Sequence, residues 1–181
     1  ARKFIFDLRG NSGGSLEAVG MMCYLFADGG DHIIITEQSR KEEKIVRARD
    51  FVSGTTNIPI AMFRDVMINL LIDEKSASAA EIFAAFMHEA TGAVRIGKKS
   101  YGKGSIQQIF SFEEGDALYL TIAEYVVGNQ KIRINGIGIQ PEYEVDNPTS
   151  DKDNNSDKLR INPEHDPQLR KAIDLLGEAR N

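Results

Sequence analysis

Tryptophan is absent from the 181 residues, and cysteine occurs once. A single thiol excludes an internal disulfide. Cys23 lies in the apolar run MMCYLFA, which marks it as a buried structural thiol rather than a reactive one. Histidine is scarce too: His32, His88 and His165 stand at no metal-ligand spacing, so no metal is expected. Positive charge is in deficit, with 22 Lys and Arg against 27 Asp and Glu. Phosphate binding needs a basic footprint, and no Lys/Arg cluster is interleaved with aromatics, so nucleic acid is not an expected partner. No segment approaches 18 consecutive apolar residues, which excludes a membrane-spanning helix. An initiator methionine and a signal peptide are also missing, and Ala1 leads directly into KFIFDL. That start points to a fragment of a longer protein.

What is present is the material of a soluble domain with a real core, 41% hydrophobic and 27% charged. KFIFDL reads as a buried strand, followed by the turn RGNSGG and a helix over about 15–27. HIIITEQ and EKIVRAR read as strands, and VMINLLI as a buried strand running straight into an apolar helix. AVRIG, SIQQIFSF and ALYLTIAEYVV are further strands between glycine turns, and KIRIN and GIGIQPEYEV end the ordered part. Residues 57–64 (NIPIAMFR) fit neither period. The expected fold is mixed α/β, a mixed sheet flanked by helices. Residues 1–146 form the core, 147–165 a polar linker, and 166–181 a helix with Asp166 as N-cap and Pro167 in its first turn.

The stretch DEKSASAAEIFAAFMHEA, residues 73–90, places Ser76 and Ser78 at the mouth of that apolar helix. Ser78-Ala79-Ala80-Glu81 fits a capping box, so Ser78 is either a cap or a nucleophile. A Ser–His pair on this helix is excluded: ten residues separate Ser78 from His88, roughly 15 Å of rise. Residues 97–103 follow the spacing of a phosphate loop, but Gly104 replaces its Ser/Thr and a strand follows instead of a helix. A Ser–Lys dyad is the third candidate chemistry. Keeping a lysine neutral at pH 7 costs roughly 4–5 kcal/mol, which a buried site without carboxylates must remove. Lys103 lies between Gly102 and Gly104, and Gln107, two strand periods on, would orient its amine without protonating it. At the helix start the Ala79 N–H would face developing negative charge, with the Gly13-Gly14 turn as a second donor.

Together FDLRGNSGG (6–14), LIDEKSASAAEI (71–82), VRIGKKSYGKGSIQ (94–107) and GIGIQPEYEV (136–145) resemble the carboxyl-terminal processing (tail-specific) protease family, as does DPQLRKAIDLL (166–176). The resemblance implies a serine endopeptidase core with Ser78 as nucleophile, Lys103 as general base and Gln107 as its support. The oxyanion donors are Ala79 and the double glycine, Gly14 favoured over Gly13. Two positions depart from the pattern: Ser12 stands where proline is usual, and Lys75 where glycine is frequent. No cofactor is implied. The implied partners are polypeptide C-terminal tails and a PDZ domain that this chain lacks, and a homo-oligomer stays open. The implied location is extracytoplasmic: periplasm, cell envelope or plastid lumen. The alternative is a truncated or non-catalytic relative serving as a ligand-binding or scaffold domain.

Overall fold

A strand returns parallel to its predecessor only through a crossover, so apolar strands alternating with helices build a parallel sheet. The computed structural model describes residues 2–27, 30–52, 63, 65–113, 115–146 and 162–178. The elements run β1 (Lys3–Asp7), α1 (Leu16–Phe26), β2 (Ile33–Ser39), β3 (Glu43–Arg47), a 3-10 turn (Ala48–Phe51), β4 (Met67–Ile72) and α2 (Ala79–Thr91). They continue with β5 (Val94–Gly97), β6 (Ser105–Ser111), β7 (Ala117–Val127), β8 (Ile132–Arg133), β9 (Tyr143–Glu144) and α3 (Pro167–Glu178). The fold is mixed α/β, as expected, but the mixing lies between two sheets. One sheet is parallel, in the order β1-β4-β5-β9. The other is antiparallel, in the order β3-β2-β7-β6, with β8 paired to β7.

Helix α2 is buried at every residue from Ala79 to Met87. It is apolar all round because it packs between the two sheets, and Gly92 closes it in the left-handed conformation. One main core joins both sheets, α1 and α2 through residues such as Cys23, Ile34, Leu70, Phe86 and Val127. Cys23 is fully buried, and burial pushes its thiol well above the ordinary range. The opposite face of the parallel sheet takes α3, where Leu71 and Ile96 meet Leu169 and Ala172. Asn69 Nδ2 donates to the Ala172 carbonyl at 2.7 Å, and Gln168 Nε2 to the Val145 carbonyl at 2.9 Å. The expected cap of α3 forms, with Asp166 Oδ1 accepting from Leu169 N–H at 3.0 Å.

Most strands fall where hydrophobic pattern puts them. EKIVRAR stops at Arg47 and tightens into the 3-10 turn, while KIRIN and GIGIQPEYEV yield only two-residue strands. Their backbone groups are drawn elsewhere, to the loop before β6, as described below. NIPIAMFR lies largely outside the described residues, as do 147–161 of the linker; residues 162–165 of the linker form turns.

Candidate active site

Three loops leave the C-terminal ends of neighbouring parallel strands: residues 8–15 after β1, 73–78 after β4 and 98–104 after β5. Such ends are where α/β sheets gather ligands. Asp73 and Ser76 fasten the first two loops together. Asp73 Oδ1 accepts from the N–H groups of Gly10, Lys75 and Ser76, each at 3.0 Å. Ser76 Oγ donates to the Leu8 carbonyl at 2.7 Å and accepts from Asp73 N–H at 3.0 Å. Ser76 is therefore a buried structural serine. Lys75 is exposed.

Ser78 has φ 54° and ψ −118°, a left-handed backbone that a non-glycine residue adopts only at a cost. This sharp turn from strand to helix lifts its side chain clear of the core, and the residue is half-buried. The capping box read from the sequence forms, with Ser78 N–H donating to Glu81 Oε2 at 2.8 Å. Glu81 does much more than cap. Its carboxylate is 1% exposed and accepts four hydrogen bonds. Oε1 takes Ser100 Oγ at 2.5 Å and Gly102 N–H at 2.7 Å, and Oε2 also takes Lys103 N–H at 2.9 Å. One buried charge, fully hydrogen-bonded, thus holds the main chains of Ser78 and Lys103 side by side.

A second clamp closes on the Lys103 loop from residues 134–139. Ser100 exchanges hydrogen bonds with Ile139, Gly136 N–H donates to the Gly102 carbonyl, and Gly104 N–H reaches Asn135 Oδ1. A Cβ at Gly104 would lie 2.6 Å from Asn135 N, so the loop needs glycine there. Tyr125 Oη donates to the Lys103 carbonyl. Burial, and then the charge of Glu81, push the Tyr125 phenol up to about 12. The Lys103 and Gln107 side chains are exposed. The strand carrying Gln107 starts at Ser105, and its register against β7 shifts between Ile106 and Gln107, so the simple two-residue period does not run unbroken from Lys103.

Gly13 packs on the Ser78 turn. With φ 107°, a Cβ there would lie 2.8 Å from Ser78 Cβ and 3.1 Å from Ala79 N. Its N–H is taken by Asn11 Oδ1 at 2.9 Å, and the Asn11 carbonyl accepts from Ala77 N–H at 3.0 Å. Among the described residues, the N–H groups of Gly14 and Ala79 have no hydrogen-bond partner. Both border a cleft of about 250 Å³ with an apolar wall of Phe6, Leu8, Val19, Met22 and Phe83. The first turns of α1 and α2 both line this cleft, so two helix N-termini favour negative charge at its mouth. His88 stands apart, with its Nδ1 2.9 Å from the Ala93 carbonyl. The sequence reading missed Asp73, Ser100, Tyr125 and Asn135, and took Glu81 for a cap alone. Only Glu81 carried a local signal.

The model of Peptidase family S41 matches residues 1–145. The chain belongs to peptidase family S41. A relative from Arabidopsis thaliana, carboxyl-terminal-processing peptidase 1, chloroplastic, is 34% identical over 143 residues, covering 79% of this chain and 27% of the relative. The carboxy-terminal processing protease CtpA of Bacillus subtilis (strain 168) is 30% identical over 148 residues, covering 82% of this chain and 29% of that protein. This S41 chain thus spans less than a third of the length of these relatives. Among solved structures, the photosystem II D1 C-terminal processing protease superposes with a TM-score of 0.65 at 22% identity, over 81% of this chain and 35% of that one. A protein of Bacteroides fragilis NCTC 9343 assigned to the S41 proteases gives 0.71 at 17% identity, over 100% and 46%. These two likenesses show the S41 fold.

Proposed function

We propose that the chain is the catalytic core of a serine endopeptidase that cuts polypeptides near their C-terminal tails. The observation that carries this reading is the Glu81 carboxylate, which fixes the main chains of Ser78 and Lys103 on one buried group. Ser78 Oγ attacks the scissile carbonyl carbon while its proton passes to Lys103 Nζ. The tetrahedral oxyanion sits on the N–H groups of Ala79 and Gly14, with Gly13 packing the turn beneath. Collapse breaks the C–N bond, and Lys103 returns the proton to the leaving amine. Water then attacks the acyl-enzyme with Lys103 again as base, the ester C–O bond to Ser78 breaks, and Lys103 returns the proton to Ser78 Oγ, with Gln107 orienting that amine. No step calls for a metal or cofactor. The apolar cleft beside Gly14 takes the side chain preceding the cut bond, so apolar residues are preferred there.

A lysine base must be shielded from water, and Lys103 is exposed here. That favours a second reading, a latent core whose site is completed by further protein such as a PDZ domain. The extracytoplasmic location belongs to the same proposal, supported by the chloroplastic relative. Digestion of an unfolded protein by this chain, beside Ser78→Ala, Lys103→Ala and Ser76→Ala, tests both readings. The dyad predicts cleavage lost in the first two. Ser76→Ala is expected to keep its nucleophile and lose about 1–3 kcal/mol of stability. An unmodified chain that cuts nothing would leave the latent core, to be assayed with a PDZ-bearing partner segment added.

A further inference from the structure

The Lys103 peptide is gripped from two sides. Glu81 Oε2 holds its N–H at 2.9 Å, and Tyr125 Oη donates to its carbonyl. The phenol arrives from β7, a different sheet from the one that carries Ser78, and its ring is 5% exposed. Strand pairing fixes where it stands: Tyr125 N–H donates to the Gly104 carbonyl at 2.9 Å, so ring and backbone of one residue bracket the Lys103-Gly104 unit. A buried hydroxyl must satisfy its donor, and the Lys103 carbonyl is the acceptor it has. A phenol pushed up to about 12 stays neutral throughout the working range of a peptidase, so it acts as a fixed dipole and not as a base.

We propose that Tyr125 is a positioning residue of the Ser78–Lys103 dyad, its hydroxyl holding the Lys103 main chain in place beside Ser78. This rests on the dyad reading above. The ring packs in the core, but the hydroxyl has a different task. Without it the Lys103 carbonyl loses its partner and the glycine-flanked loop is free to drift from Ser78, which slows proton transfer more than it weakens binding.

The test uses the full 181-residue chain and a fluorophosphonate probe that phosphonylates the active serine, displacing fluoride as the serine proton leaves. Maximal labelling rate and half-saturating probe concentration are read for the unmodified chain, Ser78→Ala, Lys103→Ala, Tyr125→Phe and the Lys103→Ala/Tyr125→Phe pair, with melting temperatures alongside. Tyr125→Phe is expected to lower the maximal rate about tenfold, the worth of one hydrogen bond, at an unchanged half-saturating concentration. In the Lys103→Ala background the same change is expected to cost nothing further, because Tyr125 acts through Lys103. Equal rates in Tyr125→Phe and the unmodified chain, or an additive loss in the double variant, would overturn the inference while the dyad stands. A Tyr125→Phe variant that melts early is judged by the same additivity below its transition. If the unmodified chain takes no label even with a PDZ-bearing partner segment added, or Ser78→Ala takes as much, the dyad reading itself fails and this inference falls with it.

Discussion

Glu81 and Ser78 show how one residue pair carries two readings at once. The spacing S-x-x-E predicts a cap, and the cap forms, but the same carboxylate also takes Ser100, Gly102 and Lys103. Glu81→Gln replaces an acceptor oxygen by an NH2 group that faces donors. It is expected to cost about 2–4 kcal/mol in urea unfolding and to lower serine labelling at least tenfold. The double glycine supplies a second contrast. Gly13→Ala puts a Cβ 2.8 Å from Ser78 Cβ on a backbone with φ 107°, so the variant is expected to unfold early and lose labelling. Gly14→Ala meets nothing within 4 Å and keeps its N–H, so it is expected to fold and label normally. At this scale the sequence displayed the candidate dyad but not its support. Glu81 announced itself through local spacing. Tyr125 and Asn135 did not, because each meets Lys103 or Gly104 only after β6 and β7 pair and the 134–139 segment folds back.

Elements were legible where hydrophobic period alone decides them: β1, β4, α1 and α2 lie within a residue or two of their expected spans, and α3 begins directly after Asp166. β8 and β9 shrank because loop-to-loop hydrogen bonds, invisible to any period, claim their neighbours. Helix α3 is tied down at its start by Asp166, which Arg9 also reaches at 2.7 Å. Burial raises the Asp166 carboxyl, but hydrogen bonds from Arg9 and from the Leu169 N–H outweigh it and hold it below its ordinary value. A depressed carboxyl contributes stability above the unfolded value of about 3.9, and loses it as pH falls through the folded value. Asp166→Asn is therefore expected to melt below the unmodified chain at pH 7, with the two curves converging as pH falls through the lowered value of the folded carboxyl. A gap that persists into acid would show that the carboxylate charge is not the contact that matters. On β4, beneath the same helix, Asn69→Ala removes the buried donor to Ala172. It is expected to cost about 1–3 kcal/mol and to speed amide exchange in α3 before the sheet.

At the scale of the molecule, the β6–β7 hairpin stands out from the two cores. Ile109, Phe112, Tyr119 and Leu120 are exposed on it, more apolar surface than a solvated hairpin ordinarily shows. Ile109→Lys with Leu120→Glu is expected to reduce binding of an apolar fluorescent dye while shifting stability by no more than about 0.5 kcal/mol. The family and the α/β architecture were both legible from motifs in order along the chain. The division into two sheets was not, because alternation of strands and helices does not say which strands share an edge.

The shared attachment of Ser78 and Lys103 has one more consequence. Two parts bolted to one bracket move in common mode: when the first turn of α2 rocks, both main chains ride with it, and their mutual distance is conserved while their distance to everything else changes. Thermal motion of this helix therefore blurs where the site is without blurring its internal spacing.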